Sequence, residues 1–220
     1  PRSTLFPYTT LFRSEKDIVF WNSLSGKYDR LINGMASKAY QILFAELAAD
    51  VAGTPNVLEV ATGTGIIALQ ISPLVLNISA IDLAPEMINV AREKCRQQNL
   101  QNVSFSLGDA HHLQFADRQF DAIIASNVMH LLPRPTLALQ EMKRVLKDDG
   151  KIILPTYLHG ASLKSHILSR LAGLSGFKVR SRWSHTSFKE FLVSNGLQVV
   201  KEKMLPGKIP LAYVVMLKKM

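Results

Sequence analysis

Apolar positions along the chain follow helix-like and strand-like periods in a regular alternation. The pattern predicts two entry helices at 18–32 and 40–51, then five strands at 57–60, 78–82, 103–107, 120–125 and 151–156. Further helices are predicted from residue 66, over 85–98 and over 136–146, the last followed by a turn at 148–150. Strands that alternate with helices predict a parallel sheet covered on both faces.

The last third of the chain has a different pattern. A helix is predicted to end at Ser194, where Asn195 and Gly196 supply a typical stop signal. Two strand-like runs follow at 197–204 and 211–217, and runs this close in sequence pair antiparallel. The predicted fold class is therefore α/β: a doubly wound, mostly parallel seven-stranded sheet of Rossmann-like type, with an antiparallel last strand and helices on both faces.

The first 14 residues are left out of this interpretation. The segment from Thr4 to Ser14, TLFPYTTLFRS, resembles the translation of a common short-read sequencing adapter, and we expect 1–14 to be an assembly artefact. The native chain is then expected to begin upstream of Glu15. Residues 15–220 are enough for one domain with a full apolar core.

Composition narrows the class of protein. Hydrophobic residues make up 47% and charged residues 20%, as in ordinary globular proteins, and the apolar runs are too short to span a bilayer. The single cysteine, Cys95, excludes an intrachain disulfide and a cysteine-rich metal site. Together these features favour a soluble, cytoplasmic protein.

The net charge of +9 is concentrated towards one end of the chain. Residues 15–150 carry 12 basic and 15 acidic side chains, whereas residues 151–220 carry 12 basic and 2 acidic ones. A basic final third is either a solvated face or a surface for an anionic ligand, a phospholipid membrane or nucleic acid. The segment 178–183, KVRSRW, is the candidate for peripheral contact with an anionic membrane surface.

A small-residue turn between a strand and a helix is the clearest candidate for chemistry. The strand at 57–60 contains Glu59 and breaks into the segment 61–65, ATGTG, before the helix begins. Glycines let the backbone approach a ligand closely, and a helix N-terminus offers unpaired N–H groups to a phosphate or carboxylate. Such a turn is typical of sites for nucleoside-bearing cofactors.

Acidic residues stand at the carboxyl ends of three predicted parallel strands, the edge at which open α/β sheets bind ligands. They are Glu59, Asp82 and Asp109. Asp82 follows Gly65 by 17 residues, close to the spacing at which a carboxylate accepts both ribose hydroxyl protons. Two alternatives remain open: an NAD-dependent oxidoreductase, and a non-enzymatic binding module that keeps the fold.

Five segments in chain order resemble the class I S-adenosylmethionine-dependent methyltransferases of the small-molecule, lipid and quinone type. They lie at 57–65, 81–87, 108–110, 120–133 and 144–152. The resemblance implies methyl transfer from S-adenosyl-L-methionine to a small-molecule or lipid/quinone acceptor, with no nucleic acid expected as a partner. It also implies one domain over 15–220, with lid or entry helices at 15–52, a cofactor-binding core at 53–158, and a basic part containing the antiparallel strands at 159–220.

The resemblance also implies individual site residues. Glu59 and the turn residues Ala61, Thr62, Gly63 and Gly65 are expected to cradle the methionine part of the cofactor. Asp82 is expected to hold the ribose, Leu83 and Met87 to wall the nucleoside, and Asp109 and Ala110 to bind the adenine. Asn127 is expected beside the methionine amino group. Tyr28, in the segment 26–30, is the candidate to cover the cofactor as part of the lid, with simple helix packing as the alternative.

Four further residues bear on the chemistry. Ala61 stands where the family usually has glycine, which fits if that position keeps a negative φ. His130, just beyond the fourth strand, is the candidate catalytic base if the acceptor must lose a proton, with a structural role as the alternative. His111 and His112 are adjacent and have no evident third ligand, so no metal is expected.

Overall fold

Eight strands form one sheet in the part of the chain that the computed structural model describes, residues 15–158, 178–206 and 211–218. The strands are β1 (Asn56–Val60), β2 (Asn77–Asp82), β3 (Val103–Leu107), β4 (Phe120–Ile124), β5 (Leu146–Ile153), β6 (Thr156–Tyr157), β7 (Leu197–Leu205) and β8 (Leu211–Lys218). The helices are α1 (Glu15–Val51), α2 (Ile66–Ile71), α3 (Pro85–Gln97), α4 (Pro135–Val145) and α5 (His185–Ser194). Short 3₁₀ turns follow α2 at Ser72–Leu74 and precede α4 at Met129–Leu131.

The order of the strands explains where a ligand can bind. Across the sheet the order is β3-β2-β1-β4-β5-β8-β6, and β7 pairs with β8. The chain moves outward from β1 to β3 and then returns to the other side of β1 at β4, so the winding reverses between β1 and β4. Loops that leave the carboxyl ends of strands at such a reversal diverge and open a crevice, the usual ligand site of this architecture.

The predicted doubly wound sheet is confirmed. Strands β1 to β5 run parallel, and β8 runs antiparallel to β5, β6 and β7. Helices cover both faces. On one face α4 and α5 pack through buried side chains such as Leu139 and Phe188, and on the other α1 and α3 pack through side chains such as Leu43 and Ile88.

The two predicted entry helices are wrong in one respect, because α1 is a single continuous helix through residues 33–39. No proline occurs in that stretch, and one glycine inside a helix costs only about 1 kcal/mol. Tyr40, Leu43 and Leu47 in the second half of α1 are buried. Their packing supplies the stability that intrinsic propensity lacks at the glycine.

The turn predicted at 148–150 lies inside β5, which begins at Leu146 instead of Lys151. The register between β4 and β5 shifts between Phe120 and Ala122, and the additional residues of β5 are accommodated there. Gly150 suits this crowded bend, since a Cβ added to it would lie 2.7 Å from the Leu146 Cδ1 atom. The unexpected strand, β6, is two residues long, too short for a period-2 pattern to reveal.

Ion pairs to α1 take up part of the positive charge of the C-terminal third. Lys201 in β7 lies 2.8 Å from the Asp50 carboxylate and 2.9 Å from that of Glu46, and Lys203 also pairs with Glu46. The charge asymmetry along the chain therefore partly reflects two elements that pack against each other. Within the described ranges, no helix combines the length and the apolarity needed to cross a bilayer.

Candidate functional site

A cavity lies at the carboxyl ends of β1, β2 and β4, with α1 along its other side. Nine of the residues expected to bind a cofactor line it: Tyr28, Ala61, Gly63, Asp82, Leu83, Met87, Asp109, Ala110 and Asn127. The other three, Glu59, Thr62 and Gly65, lie behind this lining and support it. The sequence expectation and the cavity thus coincide at the edge of the sheet where the winding reverses.

Glu59 holds the turn in place instead of lining the cavity. Its side chain is buried, and the same oxygen, Oε2, accepts hydrogen bonds from Thr62 Oγ1 at 2.6 Å and from the Ala68 N–H at 3.0 Å. Burial raises the pKa of Glu59 to about 8. The carboxyl group therefore connects the end of β1, the turn and the first turn of α2 inside the protein.

Three residues of the turn have left-handed backbone conformations: Ala61, Gly63 and Gly65. Gly65, at the start of α2, has φ +77°, and a Cβ added there would lie 2.9 Å from the Phe105 Cζ atom. Ala61 has φ +58°, so the expectation of a negative φ at this position is wrong. The Thr62 N–H donates to the Ile81 carbonyl oxygen at 2.9 Å, a bond from the turn to strand β2 that stabilises this backbone conformation. An alanine in this conformation costs about 1–2 kcal/mol.

Gly65→Ala is expected to lower the free energy of unfolding by roughly 2–4 kcal/mol, because the left-handed backbone and the Phe105 ring both oppose a Cβ. Urea denaturation measures the change. Gly26→Ala is the matched control: Gly26 lies in α1 with nothing within 4 Å of an added Cβ, and alanine there is expected to stabilise by about 0.5–1 kcal/mol. Equal effects of the two substitutions would contradict this account of the turn.

Asp82 joins the loop after β1 to the loop after β2. Its Oδ2 accepts a hydrogen bond from the Gly63 N–H at 2.8 Å, and its Oδ1 accepts one from the Ala84 N–H at 2.9 Å. Burial raises the pKa of Asp82, and these backbone bonds oppose the rise. The carboxylate is thus oriented by two fixed donors while it lines the cavity, an arrangement that suits two hydroxyl groups of a ribose.

Asp109 is held by a histidine that the sequence analysis considered only as a metal ligand. His111 donates from its backbone N–H at 2.9 Å, and its Nδ1 lies 2.8 Å from the same oxygen, Asp109 Oδ1. His111 also lines the cavity. Among the residues described, no group of three or more His, Cys, Asp or Glu side chains could hold a metal ion. Of the two adjacent histidines, His111 belongs to the cavity wall and His112 does not.

Asn127 presents an unusual amide at the cavity. Its backbone has φ +54°, and its N–H donates to the Pro155 carbonyl oxygen at 2.7 Å. The side-chain Nδ2 donates to Tyr40 Oη at 3.4 Å and to Ser126 Oγ at 3.3 Å. Within the described part of the chain, the buried Oδ1 has no hydrogen-bond partner. A buried acceptor without a donor beside a cavity suits a ligand ammonium group, as expected for the methionine amino group.

α1 is fastened over the turn by the motif that contains Tyr28. A Cβ added to Gly63 would lie 3.9 Å from the Tyr28 ring, so Tyr28 covers the turn. The neighbouring Asp29 accepts hydrogen bonds from Thr64 Oγ1 at 2.5 Å and Lys94 Nζ at 2.6 Å. Asp29 therefore connects α1 to the turn after β1 and to α3, which keeps Tyr28 at the cavity. A lid that opens and closes stays a prediction.

The cavity is also lined by residues that were not expected from the sequence. The apolar ones, here called the apolar mouth, are Phe20, Trp21, Val128, Leu131, Leu132 and Pro133. Asp17 and Lys178 add charge at the rim, and Arg180 pairs with Asp17 at 2.7 Å. One signal was available in the sequence: Trp21 precedes Tyr28 by seven residues, two helical turns, so both lie on the same face of α1.

His130 lies beside this region but is not among the residues that line the cavity. It belongs to the 3₁₀ turn Met129–Leu131 and is 1% exposed. Its carbonyl oxygen accepts hydrogen bonds from the backbone N–H groups of Arg180 at 2.9 Å and Ser181 at 3.1 Å. His130 thus anchors the segment that carries Lys178. The role of its imidazole as a base stays a prediction.

Known proteins resemble this chain in sequence and in fold. The family described as "Methyltransferase domain" matches residues 58–154. The chain is 32% identical over 190 residues to a ubiquinone/menaquinone biosynthesis C-methyltransferase UbiE of Rhodopseudomonas palustris, covering 80% of this chain and 74% of that protein. It is 32% identical over 156 residues to a demethylmenaquinone methyltransferase of Porphyromonas gingivalis, covering 67% of this chain and 63% of that protein. The solved structure of a SAM-dependent methyltransferase from Aquifex aeolicus matches with a TM-score of 0.67 at 21% identity, covering 91% of this chain and 98% of that one.

Proposed function

We propose, since this chain belongs to the class I S-adenosylmethionine-dependent methyltransferases, that it methylates a flat, largely apolar ring compound of the quinone-pathway type. Membership of this family favours methyl transfer over the two alternatives left open by the sequence, an NAD-dependent oxidoreductase and a non-enzymatic module. The observation that carries the proposal is the apolar mouth, which adjoins Asp82 and Asn127 within one cavity.

The residues that line the cavity fit S-adenosyl-L-methionine. Asn127 Oδ1 is a buried acceptor that would take the methionine ammonium, and Asp82 would accept from the ribose hydroxyls. Asp109 and Ala110 would bind the adenine, beside the Leu83 side chain. When bound, the cofactor supplies a methyl group on a positively charged sulfur. The protein's own contribution is to align the acceptor with that methyl group and to exclude water, since the leaving thioether is neutral.

The apolar mouth favours an acceptor with a flat apolar body. Two parts of the chain form the apolar mouth: α1 contributes Phe20 and Trp21, and the loop after β4 contributes Leu131, Leu132 and Pro133. Aromatic side chains bury large apolar area and stack on rings. The two quinone-pathway relatives, whose names specify demethylmenaquinone or ubiquinone/menaquinone biosynthesis, support a ring acceptor. If that ring must lose a proton, His130 is the candidate base.

Trp21→Ala is expected to raise the KM for a short-chain demethylmenaquinol roughly tenfold, because a large aromatic contact is lost from the mouth. Transfer of radiolabelled methyl from S-adenosylmethionine measures it. Val19→Ala is the matched control, since Val19 is on the same helix and 66% exposed, and we expect its KM to stay within about twofold of wild type. Methylation of a phospholipid amine or a small hydroxylated metabolite, with none of the quinol, would contradict the proposal.

Contact with an anionic membrane surface stays a prediction, supported by fewer residues than the sequence suggested. In the segment 178–183, Val179 is buried, Arg180 pairs with Asp17, and Trp183 stacks on Phe191 with ring centroids 5.0 Å apart. Lys178 and Arg182 remain exposed. These two exposed cations, of which Lys178 lines the cavity, favour an acceptor that is drawn from a negatively charged lipid surface.

A further inference from the structure

Two hydroxyl groups hold the side-chain amide of Asn127. Nδ2 donates to Tyr40 Oη, which comes from α1, and to Ser126 Oγ, which comes from the preceding residue. Tyr40 is 7% exposed, and its ring packs edge-on against Phe44 at 5.8 Å between centroids. The hydroxyl of Tyr40 therefore reaches Asn127 from a buried part of α1.

The Tyr40 hydroxyl gives this contact a direction, because it donates its proton to Tyr28 and its oxygen accepts from the amide. Nδ2 can only donate, so the Tyr40 oxygen accepts, and Oδ1 is the atom left to face a ligand. If the amide rotated by half a turn, it would present its donor to the ligand and repel an ammonium group. Burial raises the pKa of Tyr40 well above its ordinary value of 10.0, so the hydroxyl keeps its proton. A hydrogen bond from Tyr40 in turn lowers the pKa of Tyr28, against a larger rise from burial.

The backbone of Asn127 supports the same conclusion. Its left-handed conformation is unfavourable for most residues, and asparagine tolerates it better than others. The bond from its N–H to the Pro155 carbonyl oxygen holds it there. With the backbone held and Nδ2 bonded to the Tyr40 hydroxyl, Asn127 Oδ1 is buried and has no hydrogen-bond partner in the described part of the chain. Strain and an unpaired acceptor at one residue are typical of a prepared binding group.

We propose that Tyr40 is a positioning residue, which fixes the side-chain amide of Asn127 so that Oδ1 receives the ammonium group of the cofactor's methionine part. The inference rests on the proposed placement of that group at Asn127. Tyr40 does not line the cavity, so it can reach the cofactor only through residues that do, and the inference concerns its contact with Asn127. It therefore sets how well the amino acid part binds, and leaves the adenosine part unaffected.

Calorimetric titration of the full chain with two ligands tests this role. S-adenosylhomocysteine carries the amino acid part, and 5′-methylthioadenosine lacks it. Tyr40→Phe is expected to weaken binding of S-adenosylhomocysteine roughly five- to tenfold, the effect of one hydrogen bond, and to change binding of 5′-methylthioadenosine less than about twofold. Tyr213→Phe is the matched control: it removes a buried hydroxyl that donates to Asp50, away from the cavity, and should leave both affinities unchanged.

A double-mutant cycle separates positioning from packing. In an Asn127→Ala background, Tyr40→Phe is expected to change binding of S-adenosylhomocysteine less than about twofold, because no amide remains to be positioned. Equal weakening of the binding of both ligands by Tyr40→Phe, or an effect of Tyr40→Phe that persists in the Asn127→Ala background, would overturn the inference. The placement of the amino group at Asn127 would still stand if Asn127→Ala itself binds S-adenosylhomocysteine weakly. If Asn127→Ala binds S-adenosylhomocysteine as wild type does, the placement of the amino group fails as well.

Discussion

Replacing Asp82 by alanine is expected to weaken binding of S-adenosylmethionine and of S-adenosylhomocysteine at least about a hundredfold. The carboxylate orients the Gly63 and Ala84 N–H groups and would also accept the ribose hydroxyls. Hydrogen bonds to a charged group contribute about 1.5–3 kcal/mol each, so the loss of two corresponds to two orders of magnitude or more. Isothermal titration calorimetry measures both dissociation constants.

Asp121→Ala is the control for this experiment. Asp121 also bridges two elements, because its Oδ2 accepts from the Asn56 N–H at 3.1 Å and its Oδ1 from Lys147 Nζ at 2.6 Å, but it does not line the cavity. We expect Asp121→Ala to destabilise the fold and to leave both dissociation constants within about twofold of wild type. Asp82→Asn, which keeps the shape and removes the charge, should fall between wild type and Asp82→Ala. An Asp82→Ala protein that binds as wild type does would contradict the site.

Glu59→Gln is expected to gain stability relative to wild type as the pH rises from about 5 to about 8. In the unfolded chain the pKa of Glu59 is near its ordinary value of 4.5, and in the folded protein burial raises it to about 8. Between these values the folded state holds a proton that the unfolded state has lost, so the free energy of unfolding of wild type falls as pH rises. Glutamine has no proton to lose, and its amide oxygen can still accept from Thr62 and Ala68.

Urea denaturation at pH 5, 6.5 and 8 measures the difference in free energy of unfolding between Glu59→Gln and wild type. This difference should grow by a few kcal/mol over that range, the order of magnitude that such a pKa shift implies. Glu46→Gln is the control with the opposite sign. Hydrogen bonds from Lys203 and Lys201 lower the pKa of Glu46, so its stabilisation is complete above its ordinary pKa of 4.5 and is lost only at lower pH. The deficit of Glu46→Gln should therefore stay constant from pH 5 to 8. Parallel curves for Glu59→Gln and wild type would rule out the buried, protonated carboxyl group.

The acidic residues at this edge of the sheet have two different roles. Asp82 and Asp109 line the cavity, whereas Glu59 accepts hydrogen bonds from the Thr62 hydroxyl and the Ala68 N–H inside the protein. All three stand at equivalent places in the sequence pattern, and we expected all three to contact the cofactor. Side-chain direction and the length of the loop that folds back decide between ligand contact and support, and neither can be derived from strand spacing.

The sequence determined those parts of the protein that depend on neighbours along the chain. Alternating strand and helix periods predicted the doubly wound sheet, and the resemblance to methyltransferases identified residues such as Gly63, Asp82 and Asn127, which line the cavity. The turn after β1 could be predicted because its small residues, its acid and the following helix are contiguous. Local pattern failed where packing overrides propensity, as in the continuous helix α1.

Only the tertiary structure decided which distant residues meet. Tyr40 and Asn127 are 87 positions apart, and Asp17 and Arg180 are 163 apart, so no spacing rule connects them. The apolar mouth likewise depends on which face of α1 turns towards the loop after β4. Contacts of this kind form when separate elements pack against one another around the shared core. The chemistry of Asn127 Oδ1 depends on such contacts, because the elements that bury it and the Tyr40 hydroxyl that holds its amide come from other parts of the chain.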